Sequence, residues 1–490
     1  MRTRKDIWKL AATDETLLWY ARGIAEMQKR PVTDPTSWRY QAAIHDYDPN
    51  DDPLAVRGET LPSQSEQDTY WARCQHGTWY FLPWHRAFLF YFEQILLKAI
   101  TKLGGPADWA LPYWNYSDPS NSKARCLPPI FWAAKLPDGS ANTLLVSARA
   151  RGANKGQPLG SSSSAEITTC LQKPVFMNSS AGGATGFGGG RTGFSHSGNL
   201  LGELETVPHG SMHVAVGGPS GWMSAFNTAG LDPVFWLHHS NIDRLWEVWR
   251  GRDPSHTNPT LAAWLSGVSF DFHDASGAPV SLTVDRVLDT TKPLLDYVYE
   301  DVSDPVAAAA AAAKPGVPTV RAAVQMPRVP EMVGASDTKR AISLGSQPTS
   351  VQFNLQAPSG PAAQALEAGA LPAVHLNLEN ITAKRRPVES YMVYVNLPPA
   401  AKPEDHPELK AGLLPLFGVV EASRATKEHA GDGLSHSFDI THIVSALQAA
   451  KAWNPAQLRV TFVPHRPDSD PEPIRNAQPV SVGRVSLYYE

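Results

Sequence analysis

The chain has 490 residues, which is long for a single hydrophobic core, so two domains are expected. Its apolar share of 42% supports large interiors, and a formal net charge of −4 with mixed signs gives no electrostatic basis for nucleic-acid binding. No apolar run has the length of a signal peptide or a membrane span, so we expect a cytoplasmic protein without a membrane partner. Export together with a partner protein and a homo-oligomeric state both stay open.

The first 303 residues are predicted to form a mostly helical domain with long irregular connections. Dense apolar segments run from His85 to Ile100 and from Pro233 to Arg250. The second has clear ends, because Asp232 is a suitable N-cap, Pro233 suits the first helical position and Gly251 follows the last turn. Both segments are therefore predicted to be helices.

Two segments of biased composition interrupt or follow this domain. Residues 161–198 are rich in glycine and serine, which predicts an insertion rather than a packed element. Residues 304–340 contain seven consecutive alanines followed by a proline-rich run, which predicts a linker.

The pattern of apolar residues changes to a period of two within residues 341–490. Alternation around Val351–Leu355, Val374–Leu378 and Leu458–Phe462, and again at 485–489, is typical of short strands. One helix, roughly 440–451, is predicted among them. The fold class predicted is a mainly α catalytic domain followed by a smaller β-sandwich-like domain.

Two groups of histidines are the strongest functional signal. Each offers three imidazoles without an evident cysteine or carboxylate ligand, a donor set that suits copper better than magnesium, calcium or a closed zinc site. Two such trios could hold two coppers face to face, with dioxygen between them. The first group is His45, His76 and His85, and the second is His209, His213 and His239.

Spacing within the second group is informative but weak alone. His209 and His213 are four residues apart, so on a helix they share one face. The neighbours His238 and His239 diverge by about 100° on a helix, so only one of them can face a given copper. The other is then a buried packing histidine.

Three longer motifs carry a resemblance to a known family. They are His76-Gly-Thr-Trp-Tyr-Phe-Leu-Pro-Trp-His85-Arg86, then Leu111-Pro-Tyr-Trp-Asn-Tyr116, then Asp232-Pro-Val-Phe-Trp-Leu-His-His239-Ser-Asn-Ile-Asp243-Arg244. Together they resemble the tyrosinase and polyphenol oxidase family of type-3 copper proteins, over most of residues 15–303. The ending Tyr297-Val-Tyr299 is similar to the tyrosine motif that closes the core of plant polyphenol oxidases.

The resemblance implies that all six histidines bind copper, with His239 as the ligand and His238 as its structural neighbour. It implies two copper ions, dioxygen as co-substrate and small phenols as partners. The expected activity is oxidation of ortho-diphenols to ortho-quinones, with some ortho-hydroxylation of monophenols. A haemocyanin-like oxygen carrier and an o-aminophenol oxidase are the alternatives, although a single motif copy without a signal peptide favours an enzyme.

Two residues are expected to support the ligands. The three cysteines are too few for a disulfide framework, and Cys74 stands two residues before His76, as in relatives that carry a sulfur–histidine thioether. The resemblance therefore implies a bond from Cys74 to His76, with a free thiol as the alternative. Asp243, one turn after His239, is expected to accept a hydrogen bond from a histidine near the copper, or else to pair with an arginine.

Four further positions are expected to tune substrate use. Glu205, with Glu203 as the weaker alternative, resembles the glutamate that holds a water near the second copper in plant enzymes. Phe226 stands where those enzymes place a bulky gate. Gly210 replaces an asparagine common in strongly monophenol-hydroxylating bacterial enzymes, and Val214 supplies no compensating polar group.

The C-terminal domain is expected to cover the copper site. Its place behind the tyrosine motif is similar to that of the domains that keep plant and fungal enzymes latent. A stabilising or oligomerisation module is the alternative. One of the aromatic residues Tyr391, Tyr394 and Phe417 is expected to fill the site.

Overall fold

A computed structural model describes residues 1–11, 13–179, 182–306, 329–387, 389–425, 430–465 and 479–490. These residues build two hydrophobic cores, one formed mainly by helices before residue 304 and one formed mainly by strands after residue 330. The alanine run of the predicted linker lies outside the described residues. Within the described ranges, no helix is both long enough and apolar enough to cross a membrane.

The helices of the first core are α1 (Thr16–Gln28), α2 (Trp38–His45), α3 (Gln64–Tyr70), α4 (Phe81–Lys102), α5 (Thr168–Leu171), α6 (Ser211–Gly217), α7 (Phe226–Ala229), α8 (Pro233–Arg252) and α9 (Ala262–Leu265). Three short helices belong to the C-terminal part: α10 (Pro361–Glu367), α11 (Val419–Ala422) and α12 (Thr441–Ala449). A π-helical turn, Glu205–Gly210, leads directly into α6.

Helices α4 and α8 are the two apolar segments found in the sequence. Asp232 caps α8 as predicted, because its carboxylate accepts the Val234 amide at 2.9 Å. The helix ends at Arg252, so Gly251 lies inside its last turn. Helix α4 begins four residues before His85, and both helices are buried along most of their length.

The strands of the described ranges pair within four sheets. They are β1 (Arg2–Arg4), β2 (Ser269–His273), β3 (Pro279–Thr283), β4 (Tyr297–Tyr299), β5 (Glu331–Ala335), β6 (Ile342–Leu344), β7 (Thr349–Phe353), β8 (Val374–Thr382), β9 (Ser390–Val395), β10 (Lys410–Leu414), β11 (Leu434–Asp439), β12 (Leu458–His465) and β13 (Val480–Tyr489). Two small pairs, parallel β1–β4 and antiparallel β2–β3, belong to the helical core.

The C-terminal domain contains two antiparallel sheets. Their orders are β10-β9-β12-β7 and β11-β8-β13-β5, with β6 also paired to β13. The fold class predicted from the alternating pattern is confirmed. Strand β5 falls within the segment 304–340 that was predicted to be a linker, and its pairing with β13 shows that the sheet domain starts before residue 341.

The glycine-rich segment 161–198 packs against the helical core in its described part, which contradicts the predicted loose insertion. The Phe187 ring is fully buried and stacks on Trp249 of α8 at 4.5 Å between centroids. A Cβ on Gly186 would lie 2.3 Å from a backbone atom of Met177, so only glycine permits this approach. The glycines serve close packing here.

Candidate metal centre

The six predicted ligands converge in the middle of the helical core. Each is at most 4% exposed. The His85 and His239 rings stack at 4.4 Å between centroids, and the His213 and His239 Nε2 atoms are 3.3 Å apart. The two histidine groups, separated by more than 120 residues in the chain, therefore form one cluster.

Helix geometry places most of these rings. His45 is the last residue of α2, which Ser37 caps by accepting the Tyr40 amide. His85 lies in the second turn of α4 and His239 in the second turn of α8, so two packed helices face each other through these imidazoles. His209 is the penultimate residue of the π-helical turn, and His213 follows one turn later in α6.

Backbone carbonyl groups set the ring orientation. The Nδ1 atoms of four ligands lie 2.7–3.0 Å from carbonyl oxygens: His45 to Phe226, His85 to Phe81, His209 to Glu205 and His213 to Met223. A carbonyl only accepts, so Nδ1 carries the proton and Nε2 keeps its lone pair. A metal-bound imidazole usually donates its other N–H group to such an acceptor.

The Nε2 atoms of these rings are available to bind a metal. Nε2 of His45, His76, His85 and His209 is buried and has no protein partner among the described residues. Burial lowers the pKa of His45 to about 4 and holds the pKa of the other five well below the usual value. Neutral imidazoles with inward lone pairs are what copper requires, so these residues fit a pair of copper ions.

His238 is buried next to the cluster. Its ring contacts Tyr116 at 5.6 Å, and burial lowers its pKa to about 3. His239 contacts both histidine groups, since it lies near His45 and His85 as well as near His209 and His213. This arrangement favours His239 over His238 as the metal ligand.

Asp243 pairs with arginines, the second of the two possibilities that its spacing left open, and has no histidine partner among the described residues. Its Oδ1 accepts Nε of Arg86 at 2.5 Å, and its Oδ2 accepts the hydroxyls of Tyr297 and Tyr299 and lies 3.4 Å from Arg4. Burial alone would raise the pKa of Asp243, but the two guanidinium groups outweigh it and lower the pKa. The aspartate joins the tyrosine motif to α4 and to the N-terminal strand.

Cys74 lies against the first group of histidines. Its Sγ is 3.1 Å from Nδ1 of His76 and 3.3 Å from Nδ1 of His196. The thiol is fully buried, and burial raises its pKa well above the usual value. Nδ1 of His76 therefore faces sulfur where four of the other ligands face a carbonyl.

Of the two candidate glutamates, only Glu205 lies in the site. Its Oε1 accepts the Gly77 amide at 2.8 Å, while Oε2 is buried without a protein partner among the described residues. Burial raises the pKa of Glu205 well above its usual value. Glu203 instead forms an ion pair with Lys173 at 3.0 Å.

Phe226 and Gly210 line the same cavity, whose volume is about 20 Å³. The Phe226 ring lies 4.2 Å from that of His76. Gly210 has helical backbone angles, and a Cβ there would meet Phe417 at 3.5 Å. Val214 is half-buried on α6, with no polar group to offer.

One side chain of the C-terminal domain enters the site. The Phe417 ring stacks on His213 at 4.0 Å and 13°, and it lies 4.8 Å from Phe226. Pro415, Gly418 and Leu434 complete that wall of the cavity. A volume of about 20 Å³ holds roughly one water and no phenol.

The comparisons with known proteins agree with this geometry. The profile of the common central domain of tyrosinase matches residues 35–181 and 149–252, that of the polyphenol oxidase middle domain matches 260–312, and a domain of unknown function matches 329–490. The chain is 36% identical to tyrosinase HcTyr1 of Hahella sp. over the whole of both chains. The chain belongs to the tyrosinase and polyphenol oxidase family.

Two further similarities are more distant. The latent polyphenol oxidase of Prunus armeniaca is 29% identical over 60% of this chain, which spans 48% of that protein. The structure of latent apple tyrosinase superposes with a TM-score of 0.64 at 22% identity, covering 100% of this chain and 97% of the other. That likeness concerns the fold, including the β-rich C-terminal part.

Family membership confirms the predicted class of protein and its cofactor. The chain is a type-3 copper oxidoreductase, a copper-dependent phenol oxidase that uses two copper ions and dioxygen. The enzyme interpretation is thereby confirmed over the oxygen carrier. Small phenols are its class of substrate.

Sequence reasoning missed several contributors to the site. His196 contacts Cys74, and the Phe81 ring lies 4.7 Å from His209. The carbonyl oxygens that hold the histidine rings are backbone atoms, which no residue type signals. Phe81 stands four residues before His85 on one helix, and this spacing was the one sequence signal that placed its ring near the ligands.

Proposed function

We propose that this enzyme oxidises ortho-diphenols to ortho-quinones at a copper pair held by His45, His76 and His85 on one side and His209, His213 and His239 on the other. The single observation that carries this assignment is the set of inward-facing, unpartnered Nε2 atoms whose rings are fixed by backbone carbonyls. Copper ions held by these histidines would supply the electron transfer from the phenol to dioxygen.

The protein's own groups position the phenol and move its protons. His213 and Phe226 offer aromatic faces between which a phenol ring can stack. Glu205 lines the cavity and its Oε2 has no protein partner among the described residues, so the ionised carboxylate is proposed to receive a phenolic proton directly or through one water. Gly210 supplies no side chain to orient that water, so hydroxylation of monophenols is proposed to be slow.

The domain division supports a latent form. The catalytic unit is proposed to be residues 1–303 and the C-terminal domain a cover over its copper face. Phe417 occupies the place of a substrate ring, and contacts outside the site hold the cover in place. For example, the Ala184 amide donates to Glu490 at 2.8 Å, and the Thr185 hydroxyl donates to the Ser437 carbonyl at 3.3 Å.

The short contact between Cys74 and His76 supports a thioether. Of the two ring carbons that carry hydrogen, Cε1 is the one bonded to Nδ1, which lies 3.1 Å from Sγ. The bond is proposed to join Sγ to Cε1, and it would fix the His76 ring where no carbonyl does.

A parallel assay with tyrosine and its dihydroxy analogue tests the proposed activity. The assay uses the Phe417→Ala variant, in which the ring that covers the site is removed. We expect two coppers per chain by elemental analysis, quinone absorbance with the diphenol, and at least about tenfold slower quinone formation from tyrosine, since proton relay contributes factors of this order or more. Two bound coppers without quinone from either compound in this variant, or faster turnover of tyrosine, would contradict the proposal.

Replacing Glu205 tests its part in proton transfer. The change Glu205→Gln keeps the hydrogen bond to Gly77 but removes the acceptor, so kcat/KM for tyrosine should fall by about 100-fold and that for the diphenol by less. The matched control is Glu203→Gln, which changes a carboxylate paired with Lys173. Equal losses for both substrates, or equal losses in both variants at full copper content, would exclude the role.

A further inference from the structure

The cavity above the copper ligands is closed by side chains of both domains. Its C-terminal wall consists of Pro415, Phe417, Gly418 and Leu434. The catalytic domain contributes to the opposite wall, which includes Leu201, Thr206 and Gly210. Phe417 and Leu434 are buried, so the cover fills the space that a bound phenol needs with apolar groups. Their positions therefore indicate which groups that space accepts.

The position of Phe417 shows how a phenol and its ring substituent would lie. The ring stacks on His213 and also contacts His209, so it lies against the copper ligands. Its Cβ joins the ring to the backbone of the cover, and a Cβ on Gly210 would lie 3.5 Å from that atom and 3.8 Å from the Cβ of Pro415. A phenol in the place of this ring would therefore direct a substituent opposite its hydroxyl past Gly210, into the space that Pro415 occupies.

Leu201 lies on the catalytic side of that space. Its half-buried side chain lines the cavity and packs against the apolar core of the C-terminal domain. Leu434 lines the same cavity from the cover. The backbone brings the two leucines together, because Leu200 forms a β-bridge to Ser435. Leu201 therefore makes an apolar contact with the cover that a substrate substituent could replace once the cover has moved away.

The polar residues of the catalytic wall are engaged elsewhere. The Thr206 hydroxyl donates to a backbone carbonyl of its own turn at 2.8 Å. Ser197 forms a β-bridge to His76, so it lies beside a copper ligand. Glu205 acts on the phenolic hydroxyl in the function proposed above. The substituent end of the wall is thus left to Leu201, where an apolar group gains burial and a charged group loses its water.

We propose that Leu201 forms an apolar subsite for the ring substituent, so that the preferred substrates are ortho-diphenols with an uncharged, apolar group at position 4 of the ring. The inference rests on the activity proposed above and names its class of substrate. In the covered state Pro415 and Leu434 occupy the subsite, while Phe417 occupies the place of the ring. Each CH₂ group that the subsite buries should favour a substrate by about fourfold.

Substrate preference in the full-length, copper-loaded Phe417→Ala protein tests the proposal. The measured quantity is the ratio of kcat/KM for 4-tert-butylcatechol to that for 4-methylcatechol, and comparing this ratio between variants cancels the intrinsic reactivity of each ring. Leu201→Ala should lower the ratio by about 4- to 15-fold, the value of one or two buried CH₂ groups. Leu434→Ala should raise it, because this change removes a group that competes for the same space. Leu200→Ala is the matched control, since the Leu200 side chain lies against Gly190 and not in the cavity, and it should leave the ratio unchanged.

A charge introduced at the same position provides a second test. In Leu201→Lys, the ratio of kcat/KM for dihydrocaffeate, whose substituent carries a carboxylate, to that for 4-methylcatechol should rise by at least about tenfold, the value of a hydrogen bond between charged groups. Leu200→Lys should leave it unchanged. Turnover of 4-methylcatechol with unchanged ratios in both Leu201 variants, or with equal changes in the Leu200 variants, would overturn the substrate class and leave the proposed activity intact. No quinone from any catechol at full copper content would overturn both.

Discussion

Phe417→Ala should raise catechol oxidation by about 10- to 100-fold. Burying a phenylalanine ring stabilises the covered state by about 1.5–3 kcal/mol, and each 1.36 kcal/mol is a factor of ten in population or rate. The ring lies on His213, where an aromatic substrate would stack. Its removal also leaves a hole of the size that holds a benzene ring in other cores.

The measurement is kcat/KM for 4-methylcatechol in the full-length, copper-loaded protein, with copper content determined for each sample. Phe438→Ala is the matched control. Phe438 lies in the same domain and is 7% exposed against 8% for Phe417, but it contacts His436 rather than the ligands. Phe438→Ala should destabilise the C-terminal domain by about 3–5 kcal/mol, whereas Phe417 packs against the helical core.

Comparing Phe417→Ala with Phe438→Ala distinguishes two causes of latency: a ring that fills the substrate position, and the stability of the C-terminal domain that covers it. Activation by Phe417→Ala alone supports a ring that blocks the substrate position. Equal activation by both variants would show that domain stability, and not this ring, limits access. No activation by Phe417→Ala at full copper content would refute the blocking role.

The residue after Phe417 is a glycine whose backbone conformation allows the loop to approach the site. Gly418 has a φ of +78°, and a Cβ there would lie 2.6 Å from the Phe226 ring. The left-handed conformation and the close approach both require glycine. The sequence offered Phe417 among three candidate aromatics but could not choose, because the choice depends on a loop that returns to the core from about 200 residues away.

Elements with local signals were predictable from the sequence. Helix α8 begins where Asp232 and Pro233 placed it, since capping depends only on adjacent residues. The alternating strands β7, β8, β12 and β13 contain the predicted segments or overlap them. Strand β5 was missed because Glu331–Ala335 lacks the alternation that a strand with one buried face shows.

Contacts between distant segments could not be predicted in the same way. Asp243 was assigned by its spacing on its own helix, whereas its partners come from the N-terminal strand, from α4 and from the tyrosine motif. Composition also misled at residues 161–198, where glycines permit close packing instead of marking a loose insertion. Residue type alone does not distinguish these two uses of glycine.

His239→Ala should abolish activity, by at least about 10³-fold, and reduce bound copper below two per chain. A metal ion contributes several kcal/mol to such a reaction, and each 1.36 kcal/mol is a factor of ten. His239 contacts members of both histidine groups, with its ring stacked on His85 and its Nε2 3.3 Å from that of His213. Loss of its imidazole therefore removes a ligand from the middle of the cluster.

The adjacent His238→Ala is the matched control, since it removes the same side chain one residue earlier in α8. Its ring contacts His209, His213 and Tyr116, so it packs against ligands of one group only. Loss of such a support usually lowers metal affinity or activity by about 10- to 100-fold. Elemental analysis and catechol turnover distinguish the two, because neighbouring residues on a helix cannot point to the same metal. Copper loss confined to His238→Ala would reverse the assignment.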